Sequence, residues 1–173
     1  MTDSVNTRKG ISCLIAFLCF AAAVAVDQIT KYLAVIHLKN KTPFIIVDGV
    51  FQLRYLENRG AAFGLMENRQ ILFIAGACLV VAVFIFLFLK VPFSRRFLPL
   101  RICAVLLCAG AVGNLIDRIR LNYVVDFFYF NLIDFPIFNV ADCYVVISCI
   151  FFVILILFYY KDDDFNFLKF RKK

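Results

Sequence analysis

The chain has 173 residues, of which 64% are hydrophobic and 17% aromatic, and its mean hydropathy is +0.89. A soluble core of this size cannot bury so many apolar side chains, so the composition excludes an ordinary soluble domain and predicts an integral membrane protein. The net charge of +7 does not indicate nucleic-acid binding, because the Lys and Arg residues gather at the ends of apolar segments, where they would meet anionic lipid headgroups.

The first apolar segment resembles a cleavable secretory signal peptide. Arg8 and Lys9 precede the apolar run from Ile11 to Val26, which contains the triplet Ala23-Val24-Ala25. The helical apolar pattern continues beyond this triplet, and three more apolar segments follow it. We therefore expect the segment to be retained as a membrane span.

Four segments in all are predicted to cross the membrane, at about residues 10–36, 70–90, 97–118 and 140–160. The clearest is the apolar run from Ile71 to Leu89, which as a helix would be roughly 28 Å long and so match a hydrocarbon core of about 30 Å. The loop between the second and third spans carries Lys90, Arg95 and Arg96, and the positive-inside rule places it in the cytoplasm. Both termini are then cytoplasmic too, although the outer segment 37–70 also contains basic residues.

The segment at about residues 42–64 has a different pattern. Asp48-Gly49 separates two runs of strand-forming residues, 44–47 and 50–56, which predicts a β-hairpin. A loop of small residues, 58–64, follows, and its glycines permit tight turns. The predicted fold is therefore mainly α, with four transmembrane helices and a small extracytoplasmic β-sheet between spans one and two, in a single integral membrane domain covering residues 1–173.

The seven cysteines show no metal-site or disulfide spacing. All but Cys143 fall inside apolar runs and are interpreted as small core residues. Cys143 lies near polar residues, but no histidine is close to it in sequence, so it is a weak nucleophile candidate. We expect neither a metal nor a cofactor.

Polar residues concentrate where the predicted spans meet the outer face, namely Asp27, Lys31, Asn114, Arg118 and Asp142, with Asn58 and Asp126 in outer loops. Ionisable groups in membrane segments are by default a functional hypothesis. Asp27 and Lys31 are four residues apart on one helical face, so they either form a salt bridge that neutralises two costly charges or shape a polar site.

Two aspartates offer the clearest chemistry. If Asp126 and Asp142 are held close, one carboxyl can activate water as a general base while the other protonates the carbonyl or the leaving group. Structural alternatives exist for both residues. Asn139 could cap the fourth helix with Asp142 in its first turn, and Asp126 could be a loop carboxylate paired with an arginine, Arg118 or Arg120. The residues alone leave these alternatives open.

The sequence closely resembles the lipoprotein signal peptidase family, signal peptidase II, of bacterial membrane aspartyl proteases. The resemblance is carried by motifs in the family's order and spacing, namely Asp27-Gln28 with Lys31, Asn58-Arg59-Gly60-Ala61-Ala62-Phe63, Gly113-Asn114 with Asp117-Arg118, Val124-Val125-Asp126-Phe127, and Phe138-Asn139-Val140-Ala141-Asp142. Two positions depart from the pattern. Asn122 stands where glycine is common, and Phe135 where tryptophan often precedes the proline. Asn tolerates a left-handed backbone and Phe keeps an apolar ring, so we expect the activity to be retained.

The resemblance implies a catalytic dyad of Asp126 and Asp142, together with residues that shape the site or bind substrate, namely Asp27, Lys31, Asn58, Gly60, Asn114, Arg118, Asn139 and Ala141. It implies removal of signal peptides from prolipoproteins, just before a cysteine carrying a diacylglyceryl group. Membrane lipids are implied partners, globomycin is the family's characteristic inhibitor, and the implied location is the bacterial inner membrane with the site near its extracytoplasmic face. The alternative is a non-catalytic four-helix membrane transport or assembly protein, although no internal repeat supports a transporter.

Overall fold

The structure, a computed structural model, describes residues 2–60 and 70–168, with side chains over 9–60 and 70–167. The predicted loop of small residues is therefore described only from Asn58 to Gly60, and residues 61–64 lie outside the described part. The same holds for the basic residues from Lys169 to Lys173.

Four helices in the described part are long and apolar enough to cross a membrane. They are α1 (Thr2–Leu38), α2 (Gln70–Lys90), α3 (Leu98–Leu121) and α4 (Val140–Ile154), and a π turn at Leu155–Tyr159 extends α4. None of the side chains of α2 is buried within the chain, although this helix is almost wholly apolar. Such a helix is stable only against lipid, so the exposed apolar faces confirm the predicted membrane fold.

The helix α3 lies at the centre of the bundle and contacts the other three helices. Small residues allow this close approach. A Cβ atom added at Gly110 would lie 2.5 Å from the backbone oxygen of Ala141 in α4, and one added at Gly113 would lie 2.5 Å from Oδ2 of Asp27 in α1. These two glycines therefore set how closely α4 and α1 pack on α3.

A three-stranded antiparallel sheet lies at one end of the bundle, with β1 (Phe44–Val47), β2 (Phe51–Asn58) and β3 (Val124–Phe130) in that order. The predicted hairpin is confirmed as the β1–β2 pair, and Gly49 occupies the left-handed region in its turn with φ of 67°. The third strand comes from the connection between α3 and α4, which sequence analysis did not predict to be a strand.

The register of β2 on β3 positions two polar residues for the site. Asn58 pairs with Val124, and Leu56 pairs with Asp126, so Asn58 and Asp126 are diagonal neighbours on one face of the sheet. The turn from α3 into β3 passes through Asn122, which has φ of 62° and ψ of 16°. Asparagine thus adopts the left-handed conformation that we expected it to tolerate in place of glycine.

Candidate active site

The first turn of α4 is closed by a reciprocal pair of hydrogen bonds. The backbone N–H of Asp142 donates to Oδ1 of Asn139 at 3.0 Å, and the backbone N–H of Asn139 donates to Oδ2 of Asp142 at 3.1 Å. This capping box satisfies two N–H groups that the helix itself leaves unpaired. The helix-cap interpretation of these two residues is therefore correct.

The amide of Asn139 also binds the other aspartate. Its Nδ2 donates to Oδ1 of Asp126 at 2.6 Å, and it lies 3.1 Å from Oδ1 of Asn114. One fully buried residue thus touches both Asp126 and Asp142. Asn139 caps α4 and also joins the two aspartates, so the capping role does not exclude a site built on both carboxyl groups.

Asp126 is only 1% exposed and accepts a second hydrogen bond, at 2.9 Å, from Nδ2 of Asn58 to its Oδ2. Burial, and after it the negative charge of Asp142, raise the pKa of Asp126 to about 7, against the opposing effect of the amide donors. Within the described residues Asp126 forms no ion pair with Arg118 or Arg120. The arginine-paired alternative is therefore not what the structure shows.

Asp142 is held by an oriented amide. Nδ2 of Asn114 donates to Oδ1 of Asp142 at 2.8 Å, while Oδ1 of Asn114 accepts a hydrogen bond from Nζ of Lys31 at 2.8 Å. A lysine ammonium can only donate, so its contact requires the oxygen of the Asn114 amide on that side. Lys31 thereby directs the NH₂ group of Asn114 toward Asp142.

Beneath this site lies a buried ionic cluster. Nζ of Lys31 is 2.9 Å from Oδ2 of Asp27 and 3.1 Å from Oδ2 of Asp117, and all three side chains are at most 4% exposed. The other oxygen of Asp27 accepts a hydrogen bond at 2.9 Å from the backbone N–H of Ala141, in the first turn of α4. The Asp27–Lys31 pair is therefore both a salt bridge and a support for the helix that carries Asp142.

Asp117 has a positioning role that sequence analysis did not assign, although the residue was part of a motif. Its Oδ2 accepts a hydrogen bond at 3.1 Å from the backbone N–H of Val125, the residue before Asp126. Its Oδ1 accepts a hydrogen bond at 3.0 Å from Nε2 of Gln28. Asp117 thus ties β3 to α1 and α3. Its place three residues after Asn114, on the same helical face, was the available signal.

The remaining predicted residues lie at the edge of the site. Gly60 donates its backbone N–H to Oδ1 of Asn58 at 3.0 Å, which orients the Asn58 amide toward Asp126. Nη2 of Arg118 is 3.5 Å from the backbone oxygen of Gly60, at the limit of a hydrogen bond, and its guanidinium carbon is 4.9 Å from the centre of the Phe73 ring. Arg118 therefore borders the site.

Taken together, these contacts join the carboxyl groups of Asp126 and Asp142 through Asn139 at the sheet end of the bundle. The negative charge of Asp142 contributes to the raised pKa of Asp126, so we expect the two groups to titrate as a pair. A pair that binds one proton contains both a base and an acid, which is what hydrolysis by an activated water requires.

Comparison with known proteins gives one consistent answer. A family model described as signal peptidase (SPase) II matches residues 19–158. Lipoprotein signal peptidase of Clostridioides difficile (strain 630) is 42% identical over 79% of this chain and 90% of its own length. The protein of the same name from Caldanaerobacter subterraneus subsp. tengcongensis is 40% identical over 83% of this chain and 96% of its own. A solved bacterial membrane enzyme superposes with a TM-score of 0.73 at 28% identity, covering 92% of this chain and 94% of that one.

Proposed function

The chain belongs to the signal peptidase II family, and on that basis we propose that it cleaves diacylglyceryl-modified prolipoproteins just before the lipidated cysteine. We propose further that Asp126 and Asp142 carry out the hydrolysis. The observation that supports this assignment is the double contact of Asn139, whose side-chain amide binds Asp126 and whose backbone N–H binds Asp142.

In the proposed reaction no covalent bond forms between the enzyme and its substrate. The ionised carboxylate of the pair removes a proton from a water molecule, which attacks the carbonyl carbon of the scissile peptide bond. The protonated carboxyl donates its proton to the carbonyl oxygen, which gives a tetrahedral intermediate. As its C–N bond breaks, the carboxyl that took the water proton passes it to the leaving nitrogen, and the other carboxylate takes back a hydroxyl proton as the C=O bond re-forms. The carboxyl groups exchange protons through this cycle, so neither is consumed.

We place the protein in the bacterial inner membrane as a multi-pass protein, with both termini cytoplasmic and the dyad near the extracytoplasmic face. Support comes from charge. Lys90, Arg95 and Arg96 lie at the bundle end opposite the sheet, and basic loops favour the cytoplasm. Membrane lipids surround the helices in this placement, and globomycin is the expected inhibitor.

The proposal is tested with purified protein and a diacylglyceryl-modified prolipoprotein, whose cleavage is followed by gel mobility and by mass spectrometry. The wild-type protein should cut before the modified cysteine and be inhibited by globomycin. Asp126→Asn and Asp142→Asn keep the shape of the side chains but remove acid–base capacity, so each should lose about 10²-fold to 10⁴-fold in rate.

Protein yield and thermal unfolding of each variant control for a folding defect. Wild-type-like cleavage by either variant would contradict the dyad. If the folded wild-type protein bound the prolipoprotein but left it intact, the non-catalytic membrane protein would be the better description.

A further inference from the structure

A cleft runs along α3 between α1 and α2, toward the end of the bundle opposite the sheet. It consists of two cavities of about 540 and 330 Å³, and both have Ala16, Phe88 and Val105 in their walls. The walls are almost wholly apolar, and the cavities extend along α3 from Leu98 to Cys108, about 15 Å at about 1.5 Å per residue. An elongated apolar cleft on a membrane-facing surface suits a lipid acyl chain.

A buried arginine lines the larger cavity. Arg101 is 6% exposed, and its Nη2 donates to the backbone oxygen of Val91 at 3.1 Å. Its Nε is buried and makes no hydrogen bond to any described residue. No described carboxylate forms an ion pair with Arg101. Because an unpaired buried cation is costly, an anion at this position would be strongly stabilised.

A second cation, Lys9, contacts the same aromatic ring as Arg101. The guanidinium carbon of Arg101 is 3.5 Å from the centre of the Phe93 ring, and Nζ of Lys9 is 5.1 Å from the same centre. The neighbouring Arg96, in contrast, is paired with Asp164 at 2.6 Å. Lys9 and Arg101 thus both contact one ring near the cleft, and a phosphate group has the charge and the acceptors to bind such cations.

We propose that this cleft binds an anionic phospholipid of the adjacent leaflet, with its phosphate at Arg101 and Lys9 and one acyl chain along α3. Charge complementarity selects the headgroup, and the apolar walls beyond Arg101 select a lipid over free phosphate. The site is separate from the two aspartates, and the proposal does not depend on the proposed peptidase activity.

The test uses delipidated wild-type protein in detergent, to which phosphatidylglycerol, phosphatidylcholine or inorganic phosphate is added. Native mass spectrometry measures bound lipid, and thermal unfolding measures stabilisation. We expect phosphatidylglycerol to bind at least tenfold more tightly than phosphatidylcholine and to raise the Tm, while inorganic phosphate has no effect. Arg101→Gln should lose the tenfold preference, and Arg95→Gln, which removes an exposed arginine at the same end, should keep it.

A second variant keeps both cations but blocks the part of the cleft proposed for the acyl chain. Ala16→Phe fills the wall that the two cavities share and should weaken phosphatidylglycerol binding at least tenfold, whereas Ala22→Phe, at an exposed position of α1 outside the cleft, should not. Unchanged binding in Ala16→Phe or Arg101→Gln would overturn the proposal. So would stabilisation by inorganic phosphate alone, or displacement of the lipid by a synthetic signal-peptide helix, which would assign the cleft to a substrate.

Discussion

Nζ of Lys31 lies 2.8 Å from Oδ1 of Asn114, and this contact determines which end of the Asn114 amide faces Asp142. The substitution Asn114→Asp keeps an oxygen for Lys31 but replaces the donor to Asp142 with a second oxygen. We expect a loss of about tenfold to a hundredfold in cleavage rate, because a hydrogen bond to a charged group contributes about 1.5–3 kcal/mol. The measurement is the initial rate on the lipid-modified substrate.

Asn122→Asp is the matched control for Asn114→Asp, since it makes the same charge change at an exposed turn of the same helix end. Asp tolerates the left-handed backbone at that position, so near-wild-type activity is expected. Equal losses in the two variants would attribute the effect to net charge and remove the role assigned to the Asn114 amide.

Gly113→Ala should disturb the site through the packing of α1. The added Cβ would lie 2.5 Å from Oδ2 of Asp27, so the carboxylate would have to move and weaken its hydrogen bond to Ala141 in α4. Overpacking of this kind costs about 1–3 kcal/mol. We expect a lower Tm and at least a tenfold loss of activity. Gly76→Ala, where a Cβ would meet nothing within 4 Å, should change neither, and equal behaviour of the two variants would contradict the argument.

Arg118→Lys tests whether charge alone suffices at the edge of the site. The guanidinium of Arg118 reaches the backbone oxygen of Gly60 and lies over the Phe73 ring, and lysine cannot reproduce its planar fork. A loss of about 1 kcal/mol, roughly fivefold in rate or the equivalent in stability, is expected. The exposed Arg120→Lys is the control. Full activity and stability of Arg118→Lys would mean that only the positive charge matters.

Cys143 follows Asp142 directly, but no described side chain, the lone His37 included, forms a hydrogen bond with its thiol. Cys143→Ser and Cys143→Ala should therefore retain at least half of the wild-type activity. Complete loss in both variants at normal protein level would reopen a thiol mechanism. Labelling with a thiol reagent, compared between the wild type and the Cys143 variants, shows whether the reagent reaches Cys143.

Local signals made much of the fold predictable. The turn at Asp48-Gly49 is determined by these two residues and by the strand-forming runs on either side of them. The hairpin could therefore be predicted from the sequence. Convergence of polar residues at one end also followed, because helix ends meet there by topology. The strand Val124–Phe130 was not predicted, since its apolar run does not alternate and its pairing with β2 joins distant parts of the chain.

Side-chain geometry accounts for most of what the sequence did not reveal. The role of Asp117 depends on the rotation of α3 relative to Lys31 in α1 and to Val125 in β3. Helical periodicity predicts the face of α3 on which Asp117 lies, but it does not predict which residues pack against that face. The double contact of Asn139 has the same origin, because one amide can both cap a helix and bind a neighbouring strand only once the two are packed together.

Asp126 and Asp142 lie in different surroundings, which predicts different roles for them in the proposed dyad. Asp126 is 1% exposed, whereas Asp142 is partly exposed and lies in the first turn of α4, where the backbone N–H of Asn139 and the helix dipole favour a carboxylate. We therefore expect Asp126 to be the protonated acid of the resting enzyme and Asp142 the ionised base. With a pKa of about 7, against an ordinary value of 3.8, Asp126 keeps its proton below neutral pH and loses it above.

The raised pKa of Asp126 gives both activity and stability a pH dependence. An acid with a raised pKa is active below that value, so activity should fall as pH rises through about 7. The same group makes the folded state bind a proton that the unfolded chain releases, so its contribution to stability falls between about pH 4 and 7 and is constant above. Asp126→Asn should remove this component of the stability profile.

A rate profile alone cannot assign the two groups, because coupled carboxyls titrate as a pair. Isotope-edited infrared spectra of the wild type, Asp126→Asn and Asp142→Asn across pH can assign them. The protonated carboxyl band of the wild type just below pH 7 should disappear in Asp126→Asn and persist, shifted to lower pH, in Asp142→Asn, because the repelling charge of Asp142 is then absent. If the band belongs to Asp142 instead, the proposed roles are reversed, while the dyad itself stands.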